Sequence, residues 1–286
     1  MSAADEHQTP CRAGTEPDEY GVIGHPVEHS WSPFIHELFA RETRQALVYR
    51  RHDVAAEQFR GYVHHFAARG GRGLNVTIPH KAAAAALSHE LTPRAERARA
   101  VNTLSFDGGR IRGDNTDGAG LVADLCTRLA LRLAGARILL AGAGGAARGV
   151  LAPLLELGPG EVVIANRTPE RARALAREFA SLGSVRGCAF DELPPDAFDL
   201  VLNATAASLT GEVPRLPDAA VGADTVCYDM VYARTDTPFV AWARERGCRR
   251  AVQGWGMLVE QAAESFHIWR GLRPSTAPVL ELLLRT

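Results

Sequence analysis

Lysine is almost absent from this chain of 286 residues: of its 32 lysines and arginines, only Lys81 is lysine. An arginine does not give up its proton near neutral pH, whereas burial and neighbouring charges shift a lysine ammonium readily. A position that needs a titratable amine is one that arginine cannot fill. The count alone also fits a leftover surface charge, so the surrounding segment has to decide. A surplus of charge is missing too. The formal net charge is −1, so no basic excess points to nucleic acid and no acidic tail to a solvating segment. The five cysteines (Cys11, Cys126, Cys188, Cys227, Cys248) contain no C-x-x-C pair. Odd in number and dispersed, they fit reduced thiols in a cytoplasm better than a disulfide framework. No apolar run reaches the roughly 18 residues of a membrane span. Met1 to Glu19 is polar and lacks the apolar centre of a signal peptide, so residues 1–19 read as a disordered extension. H-E-x-x-H is absent, and Pro26 lies between His25 and His29, so no metal centre is expected.

What is present is ordinary in bulk and informative in order. An apolar fraction of 46% and a charged fraction of 23% suit a globular protein of one large or two medium domains. Tyr20 to Gly24 reads as a strand, and Ser32-Pro33 as a helix start with Ser at N-cap and Pro at the first helical position. Ala46 to Tyr49 reads as a strand, Val54 to Ala68 as a helix, and Gly73 to Ile78 as a strand closed by Pro79. Val101 to Phe106 and Arg110 to Arg112 flank Asp107-Gly108-Gly109, a hairpin signal. Strands alternating with helices predict an α/β layer structure. A second series follows: strands at Ala136 to Ala141, Glu161 to Ala165, Leu200 to Asn203 and Thr225 to Asp229, with helices to about Leu157 and from Thr168-Pro169. This βαβ cadence predicts a dinucleotide-binding domain with a parallel sheet. Apolar residues at 258, 259, 262, 263 and 266 give one buried face to a helix over Met257 to Ile268.

Gly142-x-Gly144-x-x-Ala147 follows a strand and opens a helix, the context a dinucleotide fingerprint requires. Gly142 suits the tight turn, Gly144 close approach to a pyrophosphate, and Ala147 close helix packing, with the helix N-terminus offering its free N–H groups. An acid about 20 residues on would bind the ribose 2′-hydroxyl of NAD. Here that place reads Asn166-Arg167-Thr168, with Arg171 one turn later. Two guanidinium groups and no acid point to the 2′-phosphate of NADP(H). Thr168 also serves as a helix cap, and Arg171 as a solvated charge.

Asn75-Val76-Thr77-Ile78-Pro79-His80-Lys81 places polar residues between a strand end and a helix start. Ser30-Trp31-Ser32, Val101-Asn102-Thr103 and Gly113-Asp114-Asn115-Thr116-Asp117-Gly118 are further short polar groups at element ends. Together they suit a polyhydroxylated small molecule; singly, each also suits a cap or a turn. In order along the chain, these segments resemble the shikimate dehydrogenase family. So do Gly24-x-Pro26, Gly142-Ala143-Gly144-Gly145-Ala146, Asn166-Arg167-Thr168, Tyr228-Asp229-Met230-x-Tyr232 and Gly254-x-Gly256-Met257-Leu258-Val259-x-Gln261. The resemblance runs from about residue 20 to the C-terminus. It implies reversible NADPH-dependent reduction of 3-dehydroshikimate to shikimate, in a cytoplasmic monomer or homodimer without nucleic-acid or membrane partners.

The resemblance also implies two α/β domains with a cleft between them. Residues 20–117, completed by 254–286, would form the substrate domain, and 118–253 the Rossmann-like NADP-binding domain. Lys81 and Asp117 would be the catalytic pair. Ser30, Ser32, Thr77, Asn102, Asp117, Tyr232 and Gln261 would hold substrate. Gly142, Ala143, Gly144, Gly145, Ala146, Asn166, Arg167, Thr168 and Arg171 would hold NADPH, with Met230 and Gly254 beside the nicotinamide. Two departures stand out: Asn203 to Ser208 lacks the family's usual glycine near its end, and bulky Trp255 separates Gly254 from Gly256. A quinate/shikimate dehydrogenase that accepts NAD is the nearest alternative, and a non-catalytic NADPH-binding regulator is another. Loss of Lys81 or Asp117 would have favoured the regulator.

Overall fold

Two series of strands and helices each close on a sheet of their own, in a computed structural model that describes residues 17–285. Most of the expected extension lies outside the described residues. Its end is corrected: Asp18 and Glu19 begin the first strand, paired with Leu47 and Val48.

The first series runs β1 (Asp18–Gly24), α1 (Ser32–Thr43), β2 (Leu47–Asp53), α2 (Phe59–Ala68), β3 (Gly73–Val76), α3 (Lys81–Leu87), β4 (Glu90–Leu91), α4 (Pro93–Ala98), β5 (Thr103–Asp107) and β6 (Arg110–Asp114). Its sheet is mixed, in the order β2-β1-β3-β5-β6-β4. β1 pairs in parallel with β2 and β3, whereas β5 runs antiparallel to β3 and β6. The β5–β6 hairpin turns at Gly108 and Gly109, whose φ values of 52° and 79° suit a two-residue turn that matches strand twist. Three expected boundaries move. Ser32 is the first helical residue and not the cap; the Ser30 hydroxyl accepts its N–H at 3.3 Å. A 3₁₀ turn at Ala56–Gln58 precedes α2, so regular helix starts after Val54. β3 stops at Val76, two residues short of Ile78, although the Thr77 N–H still donates to the Ile23 carbonyl of β1 at 2.9 Å.

The second series runs α5 (Asp117–Ala123), β7 (Arg137–Ala141), α6 (Gly145–Leu155), β8 (Glu161–Ala165), α7 (Pro169–Phe179), β9 (Val185–Cys188), β10 (Leu200–Asn203), β11 (Val226–Asp229), α8 (Pro238–Glu245), β12 (Arg250–Gln253), α9 (Trp255–Arg270) and α10 (Ala277–Arg285). Its order is β12-β11-β10-β7-β8-β9, with every pairing parallel. Helices on both faces bury the central strands completely, which is why they read as unbroken apolar runs. This doubly wound order reverses between β7 and β10, and ligands of such sheets sit at the strand ends beside that reversal.

The last helices cross back to the first series. Val259, Ala262, Ala263 and Phe266 of α9 share a buried cluster with Ile35 and Phe39 of α1 and with Val279, Leu280 and Leu283 of α10. Phe266 is fully buried there. Phe266→Ala is expected to cost about 3–5 kcal/mol of unfolding free energy, measured by denaturant titration.

Candidate active site

Lys81 opens α3 and Asp117 opens α5, 36 positions apart, yet their side chains meet: Lys81 Nζ donates to Asp117 Oδ2 at 2.6 Å. β3 and the short turn after it deliver Lys81, while the β5–β6 hairpin returns the chain to Asp117. The backbone locks the approach, since the Val101 N–H donates to the Lys81 carbonyl at 2.9 Å. Lys81 keeps 28% of its side-chain surface exposed and Asp117 only 10%. Lys81 is therefore partly open to solvent, while its partner is more deeply buried.

Asn102 holds the other carboxylate oxygen. Its Nδ2 donates to Asp117 Oδ1 at 2.8 Å, to Thr116 Oγ1 at 2.9 Å and to Gln261 Oε1 at 3.3 Å. Its Oδ1 accepts the Thr116 N–H at 2.8 Å. Lys81, Asp117, Asn102 and Gln261 thus form one connected group, with Gln261 supplied by α9. The serine segment joins it through a buried relay. Tyr49 lies between Ser32 and Asn75: its hydroxyl donates to Asn75 Oδ1 at 2.7 Å, and Asn75 Nδ2 donates to the Asn102 carbonyl at 3.2 Å. Burial raises the Tyr49 phenol well above its ordinary value, against the hydrogen bond with Ser32, so it remains a donor. Arg51 fixes Ser30 with two bonds to its carbonyl, at 3.0 and 2.7 Å. The Tyr232 ring lies 4.6 Å from Trp255 at a tilt of 42°, and Trp255 meets Trp31 edge-on at 5.9 Å, so an aromatic row ties Tyr232 to the serine segment. Burial also raises the Tyr232 hydroxyl. Thr77 packs against Gly24, where a Cβ would lie 2.4 Å from the Thr77 methyl.

Residues not singled out from the sequence complete this group. Asn115 Nδ2 donates to the Ala100 carbonyl at 2.9 Å, and Asn115 Oδ1 accepts the Asp117 N–H at 3.1 Å. Ser265 lies one turn past Gln261 and bonds Asn75 at 2.9 Å and Thr103 at 2.8 Å. Helical spacing from Gln261 is the one signal that points to it. Arg94 grips both oxygens of Asp114, at 2.6 and 3.0 Å, just before this segment. Burial raises that carboxyl, yet the Arg94 guanidinium and the Thr92 hydroxyl outweigh it and hold the pKa below the usual value. Its stabilising share is complete at neutral pH and is lost as pH falls through the lowered pKa.

The second group lies at the reversal of the parallel sheet. Gly142 takes φ 111°, and a Cβ there would stand 3.0 Å from the Ala204 carbonyl oxygen at the end of β10. Nothing lies within 4 Å of a Cβ at Gly144 or Gly145, so the start of α6 borders open space. Gly144, Gly145 and Ala146 are exposed, Ala143 is half-buried, and Ala147 packs inside. This is a cradle that fits a pyrophosphate. Asn166 Nδ2 donates to the Thr168 carbonyl at 2.9 Å and shapes the turn after β8. Thr168 is the N-cap residue of α7, but its side chain makes no capping bond. Arg167 and Arg171 project there exposed, with no acid paired to either among the described residues. Met230 and Gly254 touch: a Cβ at Gly254 would stand 2.5 Å from the Met230 carbonyl.

With this geometry in place, the comparisons with known proteins agree along most of the chain. Residues 22–104 match the shikimate dehydrogenase substrate binding domain, 124–211 match shikimate / quinate 5-dehydrogenase, and 254–284 match the shikimate 5′-dehydrogenase C-terminal domain. A shikimate dehydrogenase (NADP(+)) of Aeromonas hydrophila is 56% identical over 269 residues, covering 94% of this chain and 98% of that protein. The chain belongs to the shikimate dehydrogenase family.

Another shikimate dehydrogenase (NADP(+)), from Alkalilimnicola ehrlichii, is 54% identical over 266 residues, with 93% of this chain and 98% of that protein covered. The crystal structure of shikimate 5-dehydrogenase from Thermus thermophilus in complex with NADP(H) and shikimate superposes with a TM-score of 0.82 at 34% identity, covering 94% of this chain and 99% of that one. A shikimate 5-dehydrogenase from Listeria monocytogenes, in complex with shikimate and NAD, reaches 0.84 at 26% identity, covering 96% and 99%. The two departures from the usual shikimate dehydrogenase pattern have physical homes. At the end of the Asn203 to Ser208 segment, the Ser208 hydroxyl donates to the buried Asp229 Oδ2 at 2.6 Å. Asn203 and Thr237 bond the same carboxylate, at 3.1 and 2.7 Å. Trp255 is buried and donates its indole N–H to the Ala233 carbonyl at 3.3 Å.

Proposed function

We propose that this protein oxidises shikimate to 3-dehydroshikimate with NADP⁺, and runs the reverse reduction with NADPH. The observation that carries the reading is the 2.6 Å Lys81–Asp117 contact, held within one bonded group by Asn102 and Gln261. When bound, NADP(H) supplies or accepts a hydride at its nicotinamide ring.

The chain's own residues do the rest. As a ketone is reduced, negative charge builds on its oxygen; the Lys81 ammonium stabilises it and delivers the proton. Asp117 aims the ammonium, and Asn102 fixes the carboxylate by its second oxygen. In the reverse direction the pair takes the hydroxyl proton as a coupled unit. Ser30, Ser32 and Tyr232 receive the substrate carboxylate; Thr77, Asn102, Asp117 and Gln261 hold ring hydroxyls. The Gly142–Ala146 turn holds the pyrophosphate, Asn166, Arg167, Thr168 and Arg171 hold the 2′-phosphate end, and Met230 and Gly254 line the nicotinamide side. Residues 20–117 with 254–286 serve as the substrate unit and 118–253 as the cofactor unit. The four described cysteines are free thiols, which supports a cytoplasmic setting.

The test is turnover of purified protein with shikimate or quinate, each with NADP⁺ or NAD⁺, followed by absorbance of the reduced nicotinamide. Shikimate with NADP⁺ is expected to be the best of the four pairs. No turnover with it would overturn the reading, and a preference for quinate or NAD⁺ would move it to the sister activity. Arg167→Ala separates the cofactors. Removing a charged hydrogen bond of about 1.5–3 kcal/mol weakens NADP⁺ by roughly 10–100-fold and leaves NAD⁺ unchanged. Equal losses for both, by titration calorimetry, would place Arg167 away from the 2′-phosphate.

A further inference from the structure

α5 is thinned on two sides by glycine. It carries Asp117 at its first position, and it lies between α6, whose start is the phosphate cradle, and α9, which bears Gln261. A Cβ at Gly118 would stand 2.4 Å from Pro153 Cγ and 2.8 Å from the Gly149 carbonyl oxygen, both on α6. A Cβ at Gly120 would stand 2.7 Å from both the Gln261 nitrogen and Cβ, and 2.9 Å from its Cα. These are backbone-to-backbone approaches that no side chain can enter without moving a helix.

Pro153 gives the α6 side a second particularity. It sits inside the helix and has no N–H to return to the Gly149 carbonyl. The Gly149 carbonyl, which lacks that helical donor, is the backbone atom Gly118 meets. On the same turn, a Cβ at Gly149 would lie 3.7 Å from Asp117 Oδ2, the oxygen that holds Lys81. Gly149 follows Gly145 of the cradle by one helical turn, a rise of about 6 Å. The cradle, the Gly118 contact and the catalytic carboxylate are thus linked by a single rigid turn of α6.

Building on the proposed activity, we infer that Gly118 and Gly120 are positioning residues that set the spacing of the cleft. Gly118 fixes how near the cofactor helix stands to the Lys81–Asp117 pair. Gly120 fixes how near Gln261 stands to it. A side chain at either site displaces a different helix, so the two have different kinetic signatures. A displacement on the order of 1 Å between reacting groups costs about 100-fold in rate.

The test compares wild type, Gly118→Ala, Gly120→Ala, Pro153→Ala, and Gly118→Ala combined with Pro153→Ala. For each, kcat, the KM values for shikimate and NADP⁺, and thermal midpoint are measured. Gly118→Ala is expected to lower kcat by about 10–100-fold with KM for shikimate little changed. Removing the Pro153 ring in the double variant should restore part of that loss. Gly120→Ala should raise KM for shikimate by about tenfold or more while NADP⁺ binding stays as in wild type. Should Gly118→Ala fail to fold, the double variant against Pro153→Ala alone carries the same comparison. Normal kinetics in both glycine variants would overturn the inference. So would equal losses in every constant that track the folded fraction. A wild type without turnover would instead overturn the proposed activity.

Discussion

Lys81→Arg is expected to lower kcat by about 10²–10⁴-fold, the usual share of a positioned acid or base. The substitution keeps the positive charge and removes the ability to pass a proton near neutral pH. It is a sharper test than alanine because charge stabilisation alone would survive it. The pair is partly open to solvent, with Lys81 28% exposed, so its share of stability is small, about 0–1 kcal/mol. Thermal unfolding should therefore stay close to wild type. NADP⁺ affinity should also hold, because the cradle at Gly142–Ala146 belongs to the other sheet. Steady-state kinetics with a cofactor titration reads both. Near-normal turnover would rule out proton transfer by Lys81 and return it to a surface charge.

Asp117→Asn is expected to cost about 100-fold or more in kcat, and to raise KM for shikimate as well. The amide is nearly isosteric, and its oxygen can still accept from Asn102. Its nitrogen, however, would face the Lys81 ammonium, donor against donor, where Oδ2 now accepts at 2.6 Å. Lys81 would lose its aim, and the substrate a hydroxyl acceptor. The contrast with Lys81→Arg is informative: the lysine variant should leave KM for shikimate less disturbed. Kinetic constants for both variants at saturating NADP⁺ distinguish the roles. A change confined to KM would make Asp117 a substrate anchor without a part in the chemistry.

Much of the second sheet was legible in the sequence for a physical reason. Glu161–Ala165 and Leu200–Asn203 are buried on both faces, so each reads as a closed apolar run and is a strand at the expected bounds. Edge strands β9 and β12 lack that signal: Val185–Cys188 mixes arginine and glycine with apolar residues, Arg250–Gln253 mixes arginine and glutamine with them, and their pairing comes from the neighbour strand. β4 is two residues long and could only be found by its partner β6. Ser32 looked like a cap because Ser-Pro usually starts that way, but Trp31 takes the cap position without a side-chain bond, and the N–H of Ser32 itself goes to the Ser30 hydroxyl.

The candidate site divides similarly. The glycine turn, Arg167 and Arg171 could be read locally, since a strand–turn–helix carries its own geometry. Lys81 and Asp117 could not be paired by spacing, because their contact depends on how the β5–β6 hairpin folds back beside β3. Their association rested on resemblance until the fold brought them together. Tyr49 and Ser265 were harder still: each acts through a partner far along the chain, and only the packed structure shows the relay.

The most direct measurement uses shikimate carrying deuterium at the carbon that bears the oxidised hydroxyl. Purified protein is given this substrate with NADP⁺, and the reduced cofactor is weighed by mass spectrometry. The account predicts deuterium in NADPH, one per turnover, with little turnover in Lys81→Arg. Absence of reduced cofactor, label lost to water, or full activity in Lys81→Arg would contradict it.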